Sequence, residues 1–329
     1  MLDALKDLAF TLMGWLLTPL GVALAWGARA GWRRVRRWRP PWRLVGRAGV
    51  VLMALVSVVA LTFGAYGLWI RYRPHPAAAE RTLHPGIVHR VFARTEPRPF
   101  VVHVVTIDLD TPGLSVVPTP ASEVPGCLPA RTGSAFLDEF DVQLAINTHF
   151  FYPCPGQPAP EELTPGQLLR PVGVYAVGGQ SVVPLPWKGN TIYVAQDGTV
   201  SLYEPPPVIH HAISGRHRLV EQGRAVPADD GMLAPRIALG LDPSRRRMTV
   251  VLVDGRQRGY SEGVTLSEMS ALLIELGIHD AIELDGGGSA TLVTEGEDGR
   301  PQVLNSPIHR RIPGRERPVA NHLGIRVAR

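Results

Sequence analysis

An uncharged apolar stretch at residues 48–70 limits what this chain can fold into more than any other feature. At ~1.5 Å per residue in an α-helix, the stretch is long enough to cross the ~30 Å hydrocarbon core of a bilayer. Residues 8–27 also lack charged side chains, although they contain Pro19 and several small residues. The sequence therefore predicts two transmembrane helices. A cleaved signal peptide is not expected, because Asp3 and Asp7 precede an apolar run that is too long for one.

The segment between these two stretches, residues 28–47, is rich in arginine and tryptophan. Short Arg-rich loops stay on the cytoplasmic side, and tryptophan favours the membrane interface. We therefore predict a multi-pass inner-membrane protein in which residues 1–70 form the anchor and the rest is extracytoplasmic, in the periplasm. If the first stretch only lies on the membrane, the second one still exports the domain. The side chains concerned are Arg29, Arg33, Arg34, Arg36, Arg37, Arg39, Arg43, Arg47, Trp32, Trp38 and Trp42.

The distribution of charge argues against a nucleic-acid partner. The chain has 34 Lys and Arg against 29 Asp and Glu. Residues 1–70 hold 9 of the basic and 2 of the acidic residues. Residues 71–329 therefore hold 25 basic and 27 acidic residues, a net charge of −2. A nucleic-acid-binding domain would need a basic face on its globular part. The basic character belongs instead to the membrane anchor, so the expected partner there is a lipid bilayer.

Cys127 and Cys154 are the two cysteines of the chain, and both lie in segments flanked by proline or glycine. An oxidising compartment favours a disulfide between them. Their spacing matches no zinc-binding pattern. We treat the pair as a disulfide candidate, with free thiols as the alternative.

After the anchor, the pattern indicates a polar linker at residues 71–85 and a domain at residues 86–329 that consists mostly of strands. Residues 132–140 predict a short helix. The proline-rich residues 152–171 predict an irregular loop, which is a candidate lid. The expected fold class is α+β, a mixed β-sheet with few helices. The predicted strands are residues 87–94, 100–109, 114–117, 142–151, 172–177, 191–195, 199–203, 235–241, 248–253, 280–284 and 317–326.

A capping-box pattern and a row of apolar residues on one face predict a helix at residues 265–276. Strands are predicted on both sides of it, at residues 248–253 and 280–284. Strand, helix and strand in this order form a parallel βαβ unit in most proteins. We therefore expect Asp254 and Asp285, which follow the two strands, to lie at the same edge of a sheet, where open sheets bind ligands.

Residues 280–289 combine an apolar strand, two acids and three consecutive glycines. Side chains two residues apart in a strand share a face, so Glu283 and Asp285 would point the same way. The glycines can adopt positive φ, and their N–H groups could form a concave anion site. The alternative interpretation is a tight turn with solvent-facing acids.

Polar residues also follow two other predicted strands. Asn147 and His149 end one of them, Asp254 and Arg256 follow another, and Arg236 begins a third. Carboxylates act at the anomeric carbon of sugars, while arginines and N–H groups hold phosphate. Such a set suits a substrate that joins a sugar to a phosphate. Taken singly, each residue has a structural alternative: a salt bridge for Arg236, a turn for each aspartate and a core position for His149.

A nucleophile-elbow pattern at residues 259–263, Gly-Tyr-Ser-Glu-Gly, favours a second chemistry. It would make Ser261 the nucleophile of a serine hydrolase. The elbow serine normally sits directly between a strand and a helix. Here residues 254–258 intervene and the helix begins later, so the local context argues against this alternative.

Five short motifs occur together in the C-terminal part of the chain. They are Pro-Arg at 235–236, Val-Asp-Gly-Arg-Gln at 253–257, Gly-Tyr-Ser-Glu-Gly at 259–263, Leu-Asp-Gly-Gly-Gly-Ser at 284–289 and Arg-Pro-Val-Ala-Asn at 317–321. This combination resembles the phosphodiester glycosidase family, most strongly over residues 140–327. The resemblance implies a mixed α+β domain that hydrolyses sugar-1-phosphodiesters and releases the sugar from a phosphate ester. The chain differs from the usual family pattern at Thr148, His149 and Glu283.

The residues and the resemblance together lead to hypothetical roles. Asp285 would act as nucleophile or general base at the anomeric carbon, and His149 or Glu283 would serve if a general acid is used. A phosphate leaving group carries charge well, so no strong acid is required. Asn147, His149 and Asp254 would orient sugar or water. The expected ligands of the substrate, chiefly of its phosphate, are Arg236, Arg256, Ser289 and the amides of Gly286, Gly287 and Gly288.

The expected reaction requires no cofactor, although the acids leave room for a divalent metal. The expected substrate is a glycan or sugar phosphate of the cell envelope or of exopolysaccharide metabolism. The rival interpretation is a non-catalytic envelope module that binds anionic glycans.

Overall fold

The computed structural model describes residues 42–158, 161–183, 190–228 and 231–328. The chain divides into two compact units, residues 1–65 and residues 66–329. The predicted membrane span at residues 8–27 and residues 28–41 of the Arg-rich segment lie outside the described residues.

The first described element is helix α1, Trp42–Tyr72. Within it, Gly49–Tyr72 is long and apolar enough to cross a membrane, judged by length and composition. It is the one helix of this kind in the described part of the chain, so the prediction of two spans is not confirmed. The helix begins at Trp42, so residues 42–47 are helical and do not belong to a loop.

The second unit is mostly β-structure with few helices, in keeping with the predicted α+β class. Its described helices are α2, Gly133–Glu139, and α3, Leu266–Glu275. The strands, in chain order, are β1 Ala79–His84, β2 Ile87–Arg94, β3 Phe100–Asp108, β4 Ser115–Pro118, β5 Leu128–Pro129, β6 Leu144–Asn147, β7 Phe151–Pro153, β8 Leu168–Pro171, β9 Tyr175–Val177, β10 Gln180–Val183, β11 Thr191–Ala195, β12 Val200–Leu202, β13 Ile209–Ser214, β14 Arg218–Glu221, β15 Arg224–Ala225, β16 Arg236–Leu241, β17 Arg247–Val253, β18 Asp280–Glu283, β19 Leu292–Glu295, β20 Pro301–Val303 and β21 His322–Arg326.

These strands form four sheets. An eight-stranded sheet has the order β1-β2-β3-β17-β16-β18-β14-β15, and a three-stranded sheet has the order β5-β8-β7. The two five-stranded sheets have the orders β10-β9-β13-β11-β12 and β20-β19-β6-β21-β4. One buried cluster joins the large sheet to both five-stranded sheets, with members such as Ile237, Leu239, Ile213 and Ile146. The sheets therefore enclose a common core.

The predicted mixed sheet was wrong, because every pairing between the named strands is antiparallel. Strand β16 lies between β17 and β18, the two strands on either side of α3. Residues 242–245 turn the chain so that β16 and β17 form a hairpin, and β18 then pairs with the free edge of β16. Strands β17 and β18 still run in the same direction. Asp254 and Asp285 therefore follow the same ends of two parallel-running strands.

Helix α3 forms as its sequence predicts. The Thr265 side chain accepts a hydrogen bond from the Glu268 N–H, and the Glu268 carboxylate accepts one from the Thr265 N–H at 2.8 Å. These bonds satisfy two of the N–H groups that a helix start leaves without partners. The apolar face of the helix packs on the large sheet through Leu266, Met269 and Leu273.

Two segments differ from their predictions. Strand β1 lies inside the predicted linker and pairs with β2 over most of its length. The proline-rich segment at residues 152–171 contributes β7 and β8 to the three-stranded sheet. A disulfide joins Cys127 to Cys154 across this sheet, with a Cα–Cα distance of 5.9 Å. The described parts of this segment are thus attached to the domain by strand pairing and a covalent bond.

Replacement of both cysteines by serine should destabilise the domain. The disulfide closes a loop with a sequence separation of 27 residues, and loop entropy predicts a loss of about 3.5 kcal/mol when it is removed. For a domain of this size, the melting temperature of the full chain in detergent should fall by roughly 7–14 °C. Reductant should lower the melting temperature of the native protein to that of the variant and leave the variant unchanged. An equal effect of reductant on the melting temperatures of both proteins would contradict a stabilising role of the disulfide.

Candidate active site

Asp285 lies directly beyond the end of β18 and is the central acid of the candidate site. Its N–H donates to the Thr148 carbonyl at 2.6 Å, which ties it to the end of β6. The residue is 5% exposed. Burial raises the pKa of its carboxyl to about 6, and the charge of Glu283 acts in the same direction. A hydrogen bond from Ser289 and the charges of Arg317 and Arg216 oppose the rise.

Three arginines lie near enough to this carboxylate for their charges to act on it. They are Arg216 and Arg317 and Arg256. Arg317 Nη1 donates to Ser289 Oγ at 3.2 Å, and the Ser289 hydroxyl in turn bonds to Asp285. The arrangement is a buried carboxylate within electrostatic reach of three cations.

Neighbouring rings and main chain hold two of the arginines in place. The Arg216 guanidinium lies 5.0 Å from the Phe150 ring centre, and the Arg317 guanidinium lies 5.3 Å from that of Phe151. The Arg216 N–H donates to the Glu283 carbonyl at 2.8 Å. Cation–π contacts of this kind restrict an arginine without neutralising its charge. Both guanidinium groups therefore keep their charge available to an anion.

The glycine run packs against the chain before β16. A Cβ atom at Gly286 would collide with the Pro235 carbonyl, and Gly287 has a φ of +61°. The Gly287 N–H already donates to the Pro235 carbonyl at 2.8 Å, so its predicted role as a phosphate ligand was wrong. Within the described ranges, the N–H groups of Gly286 and Gly288 donate to no protein acceptor, so their role as anion ligands remains a prediction.

Arg256 also lies against the glycine run. A Cβ atom at Gly287 would lie 3.1 Å from Arg256 Nη1, so the glycine lets the guanidinium lie against the backbone. Burial lowers the pKa of Arg256, and the charges of Arg236, Arg311 and Arg317 lower it further. The cations repel one another here, so an anion bound among them would be stabilised.

Arg236 and Glu283 form a buried ion pair instead of facing a ligand. Arg236 Nη1 lies 2.7 Å from Glu283 Oε1, and the two side chains are 4% and 1% exposed. Arg236 also donates to the carbonyls of Met232 and Val264. Burial raises the pKa of Glu283, although Arg236 opposes the rise. The predicted phosphate contact of Arg236 and acid role of Glu283 do not fit this geometry, because the pair lies inside the protein.

Asp254 and Asn147 also have structural partners in place of a ligand. The Asp254 carboxylate accepts from the Ser306 N–H at 3.0 and 3.1 Å and from Asn305 Nδ2 at 3.0 Å. Asn147 Nδ2 donates to the Asp285 carbonyl, and its Oδ1 accepts from the Thr291 N–H at 2.9 Å. Both side chains position main chain near the site, so the predicted contacts with sugar or water were wrong.

His149 lines a cleft of about 530 Å³, together with Phe150, Gly173, Asn190 and Arg216, the arginine whose charge also acts on Asp285. A volume of this order suits a small ligand such as a sugar. Burial lowers the pKa of His149 to about 4, and the charge of Arg216 adds to the effect. The ring is therefore neutral near pH 7. It can orient a hydroxyl group, but it cannot supply an imidazolium proton as the predicted general acid.

Ser261 does not have the surroundings of a catalytic serine. The residue is fully buried. Its hydroxyl donates to the Asp254 carbonyl at 2.6 Å and accepts from the Val101 N–H at 3.0 Å. These bonds join the loop after β17 to β3. The serine-hydrolase alternative was therefore wrong, because the hydroxyl is committed to main-chain groups.

Sequence reasoning missed Arg216, Arg317 and His309. Arg216 follows the buried strand β13, and this position at a strand end is the signal that could have identified it. Arg317 stands in one of the five family-like motifs, but no role was given to it. A Cβ atom at Gly288 would lie 3.6 Å from His309 Cα. Burial and the nearby charges of Arg317, Arg315 and Arg310 lower the pKa of His309 to about 4.

The candidate site shows no evident metal centre. In the described ranges, no three side chains of His, Cys, Asp or Glu lie close enough together to hold a metal ion. The acids at this edge are instead paired with arginines and N–H groups.

A family model for phosphodiester glycosidases matches residues 140–326. The chain belongs to the phosphodiester glycosidase family. Membership assigns it to the glycosidases, which are hydrolases, and confirms the resemblance found in its motifs. The matched segment contains Asp285 and the three arginines around it. A search of curated proteins found no match to the chain.

Several solved structures have a fold similar to that of this chain. A protein of Synechocystis has a TM-score of 0.53 at 17% identity, over 76% of this chain and 64% of its own. This chain therefore spans less than two thirds of that protein. The zebrafish N-acetylglucosamine-1-phosphodiester α-N-acetylglucosaminidase catalytic domain, auto-inhibited by its pro-peptide, has a TM-score of 0.54 at 18% identity, over 77% and 87%. A protein of Burkholderia pseudomallei, described as exported, has a TM-score of 0.50 at 15% identity, over 69% and 74%. These likenesses concern the fold.

Replacement of Asp285 by asparagine should stabilise the protein above pH 6. A folded-state pKa of about 6 against 3.8 in the unfolded chain means that ionisation costs stability, in full above pH 6 and hardly at all below pH 4. The shift corresponds to an order of 2–3 kcal/mol. The melting temperature of Asp285→Asn should therefore exceed that of the native protein by roughly 5–10 °C at pH 7.5 and match it at pH 4.

Asp254→Asn is the matched control for this measurement. Asp254 is a buried aspartate at the end of a parallel-running strand, but its carboxylate accepts N–H groups that an amide cannot all satisfy. Loss of such a bond costs about 1–3 kcal/mol, so this variant should melt at a lower temperature than the native protein. A lower melting temperature for both variants at pH 7.5 would refute the assigned environment of Asp285.

Proposed function

We propose that this chain is a membrane-anchored enzyme whose extracytoplasmic domain hydrolyses the glycosidic bond of sugar-1-phosphodiesters. The observation that carries the proposal is the buried Asp285 carboxylate with Arg216, Arg256 and Arg317 around it. Membership of the phosphodiester glycosidase family supports the same reaction class.

The arginines are suited to the phosphate of such a substrate. A guanidinium presents several N–H donors in one plane and can bind two phosphate oxygens at once. Arg256 lies against Gly287 and Arg317 bonds to Ser289, so both arginines reach the Gly286–Ser289 turn. A phosphodiester between them would relieve the repulsion among the cations. The same contacts would stabilise the second negative charge that the phosphate gains when its bond to the sugar breaks.

Asp285 acts at the anomeric carbon in this proposal. The bond between that carbon and the phosphate oxygen breaks, and its electron pair leaves with the phosphate monoester. If Asp285 is the nucleophile, it forms a glycosyl ester that water then hydrolyses. If it is the general base, it takes a proton from the water that attacks the carbon directly. In both routes the hydroxyl group on the released sugar comes from water.

The leaving group makes a strong general acid unnecessary, because a phosphate monoester carries its charge well. Neutral His149 orients a sugar hydroxyl in the cleft that it lines with Asn190 and Arg216. No cofactor is required in this scheme. Nucleic acid is not a partner, because residues 71–329 carry a net charge of −2.

The cellular setting is part of the proposal. Helix α1 serves as a membrane anchor, supported by its apolar segment Gly49–Tyr72. The Cys127–Cys154 disulfide favours an oxidising compartment, which in a bacterial envelope is the periplasm. With the stretch at residues 8–27 as a further span, the protein is a multi-pass inner-membrane protein. Its substrate then belongs to the cell envelope or to exopolysaccharide metabolism.

The full chain in detergent should release sugar from at least one member of a panel of sugar-1-phosphodiesters. Asp285→Asn should lower kcat by at least ~1,000-fold, because the acting carboxylate is lost. Ser261→Ala, the control at the neighbouring polar loop, should keep kcat within about threefold, since the Ser261 hydroxyl bonds only to main chain. Activity in Asp285→Asn together with inactivity in Ser261→Ala would reverse the assignment. Binding of anionic glycans without turnover would indicate a non-catalytic module.

The pH dependence of kcat/KM gives a separate test of the Asp285 role. A nucleophile or general base must be ionised, and the pKa of this carboxyl is about 6. The value of kcat/KM should therefore rise roughly tenfold per pH unit below pH 6 and level off above it. A decline in kcat/KM between pH 5 and pH 7 would show instead that Asp285 acts as a proton donor.

A further inference from the structure

A second hollow, of about 270 Å³, adjoins the candidate site where the end of α1 meets the loops that carry the arginines. We call it the junction groove. Its lining includes the apolar residues Ile70, Ile308 and Pro313. It also includes the basic residues Arg71, Arg256, Arg258 and Arg311. A groove lined by both apolar and cationic side chains suits an anionic amphiphile.

Arg256 connects the junction groove to Asp285. Its guanidinium lies against Gly287 in the turn after Asp285, and the same side chain lines the groove. Arg311, another groove residue, is close enough for its charge to act on Arg256. A phosphate held by Arg256 would therefore have the reacting sugar on the Asp285 side. The other ester oxygen of that phosphate would then be directed along the groove.

The junction between α1 and β1 is packed firmly enough to shape this groove. The Arg73 guanidinium lies 3.2 Å from the Tyr260 ring centre. It donates to Gln257 Oε1 at 2.7 Å and to Ser306 Oγ at 3.0 Å. His75 Nε2 lies 2.9 Å from the Tyr260 carbonyl oxygen. These contacts fix residues 71–75 to the loop that carries Arg256 and Arg258.

The position of Ile70 indicates which kind of group the groove receives. Ile70 belongs to Gly49–Tyr72, the segment that is apolar enough to cross a membrane. An alkyl chain on the substrate phosphate would continue from the groove along this apolar surface. A short, water-soluble alcohol in the place of the alkyl chain would gain nothing from this surface. The hydrophobic stabilisation of binding scales with the apolar area removed from water, and such an alcohol has little of it.

We propose that the junction groove binds a lipid chain on the phosphate, so that the substrate is a membrane lipid whose phosphate carries a sugar through its anomeric carbon. This inference rests on the proposed function. Hydrolysis then adds water across the bond between the anomeric carbon and oxygen. The free sugar enters the water phase, and the lipid phosphate monoester remains with the bilayer.

Two substrates with the same sugar and phosphate test the inference, one with a hexadecyl and one with an ethyl alcohol. The full chain in detergent micelles should show a kcat/KM at least tenfold higher for the hexadecyl ester, chiefly through a lower KM. Ile70→Asn and Arg258→Glu should each lower this ratio by at least fivefold. Leu68→Asn is the matched control, because Leu68 is an exposed residue of the same helix that does not line the groove. It should leave the ratio unchanged.

Equal kcat/KM for the two esters would overturn the inference while leaving the proposed function intact. An equal loss of the ratio in Leu68→Asn and Ile70→Asn would overturn it as well, since the effect would then belong to the helix surface. Absence of turnover for both esters would overturn the proposed function and, with it, this inference.

Binding to Asp285→Asn provides a readout that does not depend on turnover. Titration calorimetry with hexadecyl phosphate, ethyl phosphate and inorganic phosphate in the same micelles separates lipid recognition from phosphate recognition. Hexadecyl phosphate should bind at least tenfold more tightly than the other two, and Ile70→Asn should remove most of this difference. Similar affinities for all three anions would show that only the phosphate is recognised and would refute the lipid-binding groove.

Discussion

The buried ion pair between Arg236 and Glu283 is the interaction on which the candidate site depends. It joins the start of β16 to the end of β18. Asp285 lies directly beyond this end of β18. Removing either charge would leave the other inside the protein, which costs several kcal/mol. The pair therefore fixes the strand end from which the glycine turn departs. It also places a negative charge near Asp285, where it helps burial to raise the pKa of that carboxyl.

The glycine turn couples this fixed edge to the arginines. Gly286 lacks a side chain because the Pro235 carbonyl occupies that space, and Gly287 lacks one where Arg256 lies. The same close packing brings Ser289 within reach of both Asp285 and Arg317. The glycines thus serve first to bring charged groups near one another. The pKa of the Asp285 carboxyl stays raised in this setting, because the arginine charges oppose the effect of burial without cancelling it.

Local patterns in the sequence were sufficient for much of the fold. The strands β2, β16 and β17 and the capping box of α3 each depend on residues close in the chain, and they formed as predicted. The position of β16 between β17 and β18 could not be predicted in this way, because it depends on which strand edge is free after the hairpin forms. The two strands around α3 do run parallel as expected, but β16 separates them and pairs with both in antiparallel fashion.

The candidate site was harder to predict than the fold because the same residue types serve structure and chemistry. Asp285 is buried with a raised pKa, as a candidate central acid would be, and its role stays a prediction. Arg236, Asp254 and Asn147 have equally polar side chains, but the fold uses them to hold neighbouring strands and loops. The burial of a polar side chain and its hydrogen-bond partners distinguish a structural role from a chemical one. Neither can be determined from the sequence of one strand end alone. Arg216 and Arg317 reach Asp285 from distant parts of the chain, so only the folded arrangement brings them together.

The junction after α1 gives the site a further constraint that no single motif contains. Arg73 and His75 hold Tyr260, and the loop around Tyr260 carries Arg256 to the glycine turn. Arg256, a proposed phosphate ligand, is therefore carried by the same loop that receives the end of the apolar helix. A domain that only needed a tether could be joined to the apolar helix by a linker without the packing of Arg73 and His75 on Tyr260. The packing of this junction is explained more simply if the substrate itself extends from the site towards the helix.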